Sequence, residues 1–140
     1  MEQSDIPCLC INVRRAANAI TAFYDNAMAQ TGITVPQYSL MSNLQKMGSA
    51  NISALADKVH LERSTLLRNL KPLKAAGYIV DNAKKGARDA CLSLTTKGID
   101  IVITASPFWE KAQNEVRATI GEKDIVNSFL DSLYRVQRLK

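Results

Sequence analysis

Histidine and tryptophan occur once each in these 140 residues, and no apolar run approaches the roughly 18 residues that a membrane-spanning helix needs. A lone His60 leaves no Ser/His/acid set to assemble, and the sequence has no Gly-rich phosphate loop, no H-E-x-x-H and no paired-cysteine metal spacing. No catalytic residue, no metal site and no cofactor is therefore assigned, and no enzyme is expected. There is also no Pro/Gly/Ser linker, low-complexity tract or internal repeat, so this length implies one domain. Met1-Glu2-Gln3-Ser4-Asp5 is acidic and polar, the opposite of a signal-peptide start. Three cysteines are an odd count for a disulfide scaffold, and the expectation is a reduced, cytoplasmic protein with no membrane partner.

What is present concentrates in Ile52 to Thr95. Ile52, Leu55, Ala56 and Val59 share one face of a short helix, and His60-Leu61-Glu62 makes a turn. A second helix begins at Arg63, with Leu66, Leu67, Leu70, Leu73 and Ala76 as its apolar stripe and Gly77 at the C′ position. Tyr78-Ile79-Val80 and Cys91-Leu92-Ser93-Leu94-Thr95 read as paired strands. The loop between them, Asp81 to Asp89, is too long for a tight hairpin and carries Lys84, Lys85 and Arg88. Two helices followed by a basic β-wing form the layout of a winged helix-turn-helix.

Charge agrees with pattern. From Arg63 to Arg88 there are seven basic residues and one acid, Asp81, which is +6 in 26 residues of a chain whose total is +5. Such a concentration on one helix and one loop is the footprint of phosphate contacts. Its plain alternative is a solvated helix face beside an unrelated loop.

Helical patterns flank this unit. One runs from about Cys8 to Gln30 through Val13, Ala16, Ala17, Ile20, Tyr24, Ala27 and Met28. Pro36, at the first helical position, opens another that ends before Gly48. After the wing, a helix reaches Ile120 with Ile99, Val102, Ile103, Ser106, Trp109, Ala112 and Val116 facing inward, and a last one runs through Leu139. These long helices have no sheet to cover them, so they bury their stripes on each other and on a second copy. The fold class is thus mainly α with a small β-wing. Residues 35–96 form a DNA-binding lobe, and 6–31 with 97–140 form a helical dimerisation lobe.

The chain resembles the MarR-type transcriptional regulators along nearly its whole length. The resemblance is carried by Ile52-Ser53-Ala54-Leu55-Ala56, by Arg63 to Leu70, by the exit Leu73-Lys74-Ala75-Ala76-Gly77-Tyr78-Ile79, and by Leu94-Thr95-Thr96-Lys97-Gly98. It implies a homodimer on a pseudopalindromic operator in double-stranded DNA, usually repressing and often relieved by a small anionic or phenolic effector or by oxidation. One departure stands out. The family's wing carries D-x-R, whereas here Gly86-Ala87-Arg88 keeps the arginine without the aspartate, leaving Asp89 to replace it. A helical adaptor that dimerises without specific DNA binding is the competing reading, and the charge concentration argues against it.

A helix entering a major groove presents its N-terminal residues to base edges. Arg63, Ser64, Thr65, Arg68, Asn69 and Lys71 are the candidate contacts, with Arg68 suited to guanine and Asn69 to adenine. Phosphate contact is the alternative for each. Lys84, Lys85 and Arg88 would grip backbone or minor groove. Pro72 removes a bond to the Arg68 carbonyl, which predicts a kink near Lys71 or an interruption of the helix there. Cys8 and Cys10 open the first helix about one turn before Arg14 and Arg15, the setting of a redox sensor or simply of two small residues. Arg14, Tyr24 and Tyr38 are the candidate ligand-pocket residues, a grouping that the resemblance implies.

Overall fold

The computed structural model describes residues 5–140. Its elements are α1 (Leu9–Ala27), a 3-10 turn (Ala29–Thr31), α2 (Val35–Met47), α3 (Ile52–Val59), α4 (Arg63–Ala75), β1 (Ile79–Asp81), β2 (Leu92–Leu94), α5 (Thr96–Ile120) and α6 (Lys123–Val136). They divide into two compact units, Met28–Pro107 and Met1–Ala27 with Phe108–Lys140. Among the described residues no helix is long and apolar enough to cross a membrane.

In the unit from Met28 to Pro107, local chemistry fixes each helix end. Thr34 and Gln37 bond reciprocally across the start of α2, the side chain of each accepting from the backbone N–H of the other. Thr34 is thus the N-cap, and Pro36 stands at the second helical position rather than the first. Asn51 caps α3 by accepting from the Ala54 N–H at 2.8 Å. α4 closes with Gly77 at φ +81°, Tyr78 N–H on the Leu73 carbonyl and Gly77 N–H on that of Lys74, each at 3.0 Å.

The helices then bury one face each. Leu40, Met41 and Leu44 of α2, Ile52 and Leu55 of α3, and Leu66, Leu70 and Leu73 of α4 form a single core with Ile79 and Leu92 of the wing. The wing is antiparallel, pairing Ile79 with Leu94 and Asp81 with Leu92. Ala50, just before α3, adds a one-residue bridge to Leu92, with bonds of 3.0 and 2.8 Å. The sheet is therefore sewn to the helix-turn-helix at a point the sequence pattern did not mark.

Several expectations are corrected. α4 is not interrupted near Lys71 but continues through Pro72 to Ala75, with buried Leu70 and Leu73 anchoring the helix on both sides of the proline. Leu67 is not in the core but 42% exposed. On α5 the buried apolar side chains are Val102, Ala105 and Ala112, while Ile99 and Ile103 are exposed. α1 ends at Ala27 rather than Gln30, since the chain tightens into the 3-10 turn that Gly32 closes at φ +79°.

In the other unit, α1, the latter half of α5 and α6 are helices with few buried side chains. Tyr24 is one of them, and its hydroxyl donates to the Gln113 side chain. Ile11 and Val13 of α1 and Ile125, Phe129, Leu130 and Val136 of α6 are all exposed.

Candidate nucleic-acid interface

The turn between α3 and α4 depends on one unusual backbone. His60 takes the left-handed conformation (φ 56°, ψ 44°) as the C-cap of α3, and Leu61 N–H reaches back to the Ala56 carbonyl at 3.0 Å. This reversal in three residues lets α4 start at Arg63 with its inner leucines on the α2–α3 core. The opposite face is left to the solvent. Arg63, Ser64, Arg68 and Lys71 are exposed, and Thr65 and Asn69 are half-buried. Arg68 and Asn69 also line a cleft of about 190 Å³ whose other wall includes Thr34, Pro36 and Gln37 at the start of α2. Leu67, read from sequence as core, joins this exposed side; its hydrophobicity masked it.

Beyond α4, the residues of Leu94-Thr95-Thr96-Lys97-Gly98 act as a latch. The Thr95 hydroxyl caps α5 by accepting from the Gly98 N–H at 3.0 Å and donates to the Gly77 carbonyl at 2.5 Å. Lys97 donates to the Ala76 carbonyl at 2.7 Å, and its ammonium lies 5.2 Å from the centre of the Tyr78 ring. A Cβ on Gly98 would run into the Tyr78 carbonyl, which is why glycine stands there. The start of α5 thus ties down the exit of α4 and the entry to the wing.

Lys84, Lys85 and Arg88 are exposed at the wing tip. At its root, the Asp81 carboxylate accepts the backbone N–H groups of Cys91 and Ala83, both at 2.9 Å. Those two bonds, with Lys74 adding a smaller attraction, hold the Asp81 carboxyl below the usual carboxylate range. No sequence pattern singled out Asp81; it stood there only as the sole acid of the basic stretch.

The remaining candidates lie elsewhere. Cys8 and Cys10 are exposed free thiols at the start of α1, where the Cys8 carbonyl accepts from the Asn12 backbone at 3.1 Å and from its side chain at 2.8 Å. Arg14 is exposed and Tyr24 buried, ten residues on along α1, or about 15 Å at 1.5 Å per residue. Burial pushes the Tyr24 phenol pKa up. Tyr38 is buried on α2 in the other unit. Among the described residues, no cluster of three or more His, Cys, Asp or Glu could hold a metal ion.

Comparison with known proteins gives one answer. The MarR family model matches residues 33–83, which contain α2 to β1. The regulator SarZ of Staphylococcus aureus is 27% identical over 122 residues, spanning 86% of this chain and 82% of SarZ. The structure of the M. tuberculosis transcriptional regulator MosR in complex with DNA is 32% identical, covers 95% of this chain and 100% of MosR, and superposes with a TM-score of 0.81. Bordetella bronchiseptica BpsR, whose DNA binding is regulated by 6-hydroxynicotinic acid, shares the fold at 16% identity, with a TM-score of 0.83 over 100% of this chain and 99% of its own. Through the helix-turn-helix, the wing, the latch and these relatives, the chain belongs to the MarR family of transcriptional regulators.

Proposed function

We propose that two copies of this chain bind a pseudopalindromic operator in double-stranded DNA in the cytoplasm and repress from it. Residues 35–96 would serve as the DNA-binding lobe, and 6–31 with 97–140 as the dimerisation lobe. The observation that carries the reading is the +6 of Arg63–Arg88, presented on the solvent face of α4 and on the wing tip while the inner face of α4 is buried. Arg68 is assigned a bidentate contact to guanine, Asn69 to adenine, and exposed Leu67 a thymine methyl. Arg63, Ser64, Thr65 and Lys71 hold phosphates, and Lys84, Lys85 and Arg88 grip the flanking backbone or minor groove. The relative MosR was crystallised with DNA, which supports the duplex as partner. The exposed apolar faces of α1 and α6 support the dimer.

Selection of bound fragments from genomic DNA tests this, and a shared inverted repeat is expected. Arg68→Ala should then relax preference at one base pair, and uniform loss on all sequences would reassign Arg68 to phosphate. Recovery without a common sequence would mean an architectural binder, and no recovery at low salt would favour the adaptor reading.

Two inputs belong to the same proposal. Peroxide would oxidise a Cys8 or Cys10 thiolate to a sulfenic acid with release of hydroxide, and a second thiol would displace water from it to form a disulfide. The exposure of both thiols supports this, and a peroxide response that survives Cys8→Ser with Cys10→Ser removes it. A phenolic or aromatic carboxylate effector is assigned to Tyr24, whose buried hydroxyl donates to the Gln113 side chain. Titrating such compounds against the operator complex with Tyr24→Phe tests the hydroxyl; an unchanged response takes Tyr24 out of the site.

A further inference from the structure

The three cations of the wing sit on a loop with little internal bonding. Among the described residues, the tip has the Ala87 N–H on the Lys84 carbonyl at 2.8 Å. The root is different. One oxygen of Asp81 accepts from Ala83 on the outgoing strand side and from Cys91 on the returning side, and the Asn82 N–H reaches the Cys91 carbonyl at 2.8 Å. The Asn82 side chain adds a bond to the Ser93 hydroxyl at 2.8 Å. A carboxylate among seven cations works against phosphate binding by charge alone, so its place there calls for another duty.

We infer that Asp81 positions the wing, clamping both ends of the 82–90 loop so that Lys84, Lys85 and Arg88 meet the duplex together. The tip lacks the D-x-R aspartate, and the root supplies the order instead. The inference rests on the DNA-binding reading above, and its test separates the two. Asp81→Asn sheds the charge but keeps the accepting oxygen, whereas Asp81→Ala removes both. With a fluorescein-labelled duplex carrying the selected repeat, Asp81→Ala should lose roughly five- to tenfold in affinity, the scale of one or two net hydrogen bonds. Asp81→Asn should match or exceed the parent.

The decisive readout is a double-mutant cycle. Arg88→Ala should cost about fivefold or more in the parent and less than about twofold in Asp81→Ala. Equal gains in affinity from Asn and Ala would make Asp81 a mere repulsive charge and overturn the inference. So would an Arg88→Ala penalty of the same size in both backgrounds. Amide hydrogen exchange at Ala83 and Cys91 gives a readout without DNA, and one that survives a poorly folding Ala variant: protection is expected in the parent and in Asp81→Asn, and its absence in the parent would sink the clamp. A parent that retains no duplex at any salt fails the DNA-binding reading and the inference with it. A parent that binds but shows no coupling fails the inference alone.

Discussion

The two units of this chain differ in how finished they are. Of the nineteen buried apolar residues among the described ones, only Tyr24 and Ala112 belong to the unit of Met1–Ala27 and Phe108–Lys140. Of the fifteen exposed large apolar residues among the described ones, eleven belong to that unit, from Ile6 to Phe23 and from Ile125 to Leu139. Met28–Pro107 closes its own core around Leu44, Leu55, Leu66, Leu70 and Leu92, each at most 1% exposed. Helices with open apolar stripes gain burial when a second copy covers them, whereas the winged unit already buries most of its apolar side chains within itself. Folding and assembly are therefore written into different parts of one sequence.

Substitutions can break or sharpen that contrast. Leu55→Ala, at the centre of the closed core, should cost about 2–5 kcal/mol, read as a fall in thermal midpoint that protein concentration does not rescue. Ile125→Glu, on a side chain 55% exposed in the single chain, should leave helix content intact but weaken dimerisation by about 2–3 kcal/mol, measured by sedimentation. If Ile125→Glu instead unfolds the chain at every concentration, the division between self-sufficient and partner-dependent units is wrong. Gly98→Ala drives a methyl against the Tyr78 carbonyl and should cost about 2 kcal/mol, with loss of operator affinity. Lys97→Met, which keeps the aliphatic stem but loses the Ala76 bond and the charge over Tyr78, should cost about 1 kcal/mol, read by denaturant titration. His60→Gly should raise stability by roughly 0.5 kcal/mol, because glycine takes φ 56° without the Cβ penalty.

The helix-turn-helix and its wing were legible because their signals are local: the Ile52–Val59 periodicity, Gly77 after the α4 leucines, and alternation in Cys91–Thr95. What was missed depends on contacts far apart in sequence. The Ala50–Leu92 bridge joins residues 42 positions apart, and the Lys97–Ala76 bond spans 21. On α5, Val102 and Ala112 are buried as their spacing implied, whereas Ile99 and Ile103, placed inside by hydrophobicity, are exposed and Ala105 is buried. The interruption expected at Pro72 is absent, because buried Leu70 and Leu73 anchor α4 on both sides of it. In the candidate interface, residue type proposed Arg63 to Lys71 but could not show which way Leu67 points, nor that Asp81 braces the loop from its root.

The fastening of α4 has an evolutionary consequence. Its attachments are the inner leucines Leu66, Leu70 and Leu73 and the latch at its exit, and none of them uses Ser64, Arg68 or Lys71. Those outer positions tolerate other helix-forming residues at little folding cost, so on the proposed DNA-binding reading a few surface changes there would retarget the scaffold to new DNA sequences. A library that varies these three positions among helix-forming residues, proline left out, is expected to yield mostly folded protein.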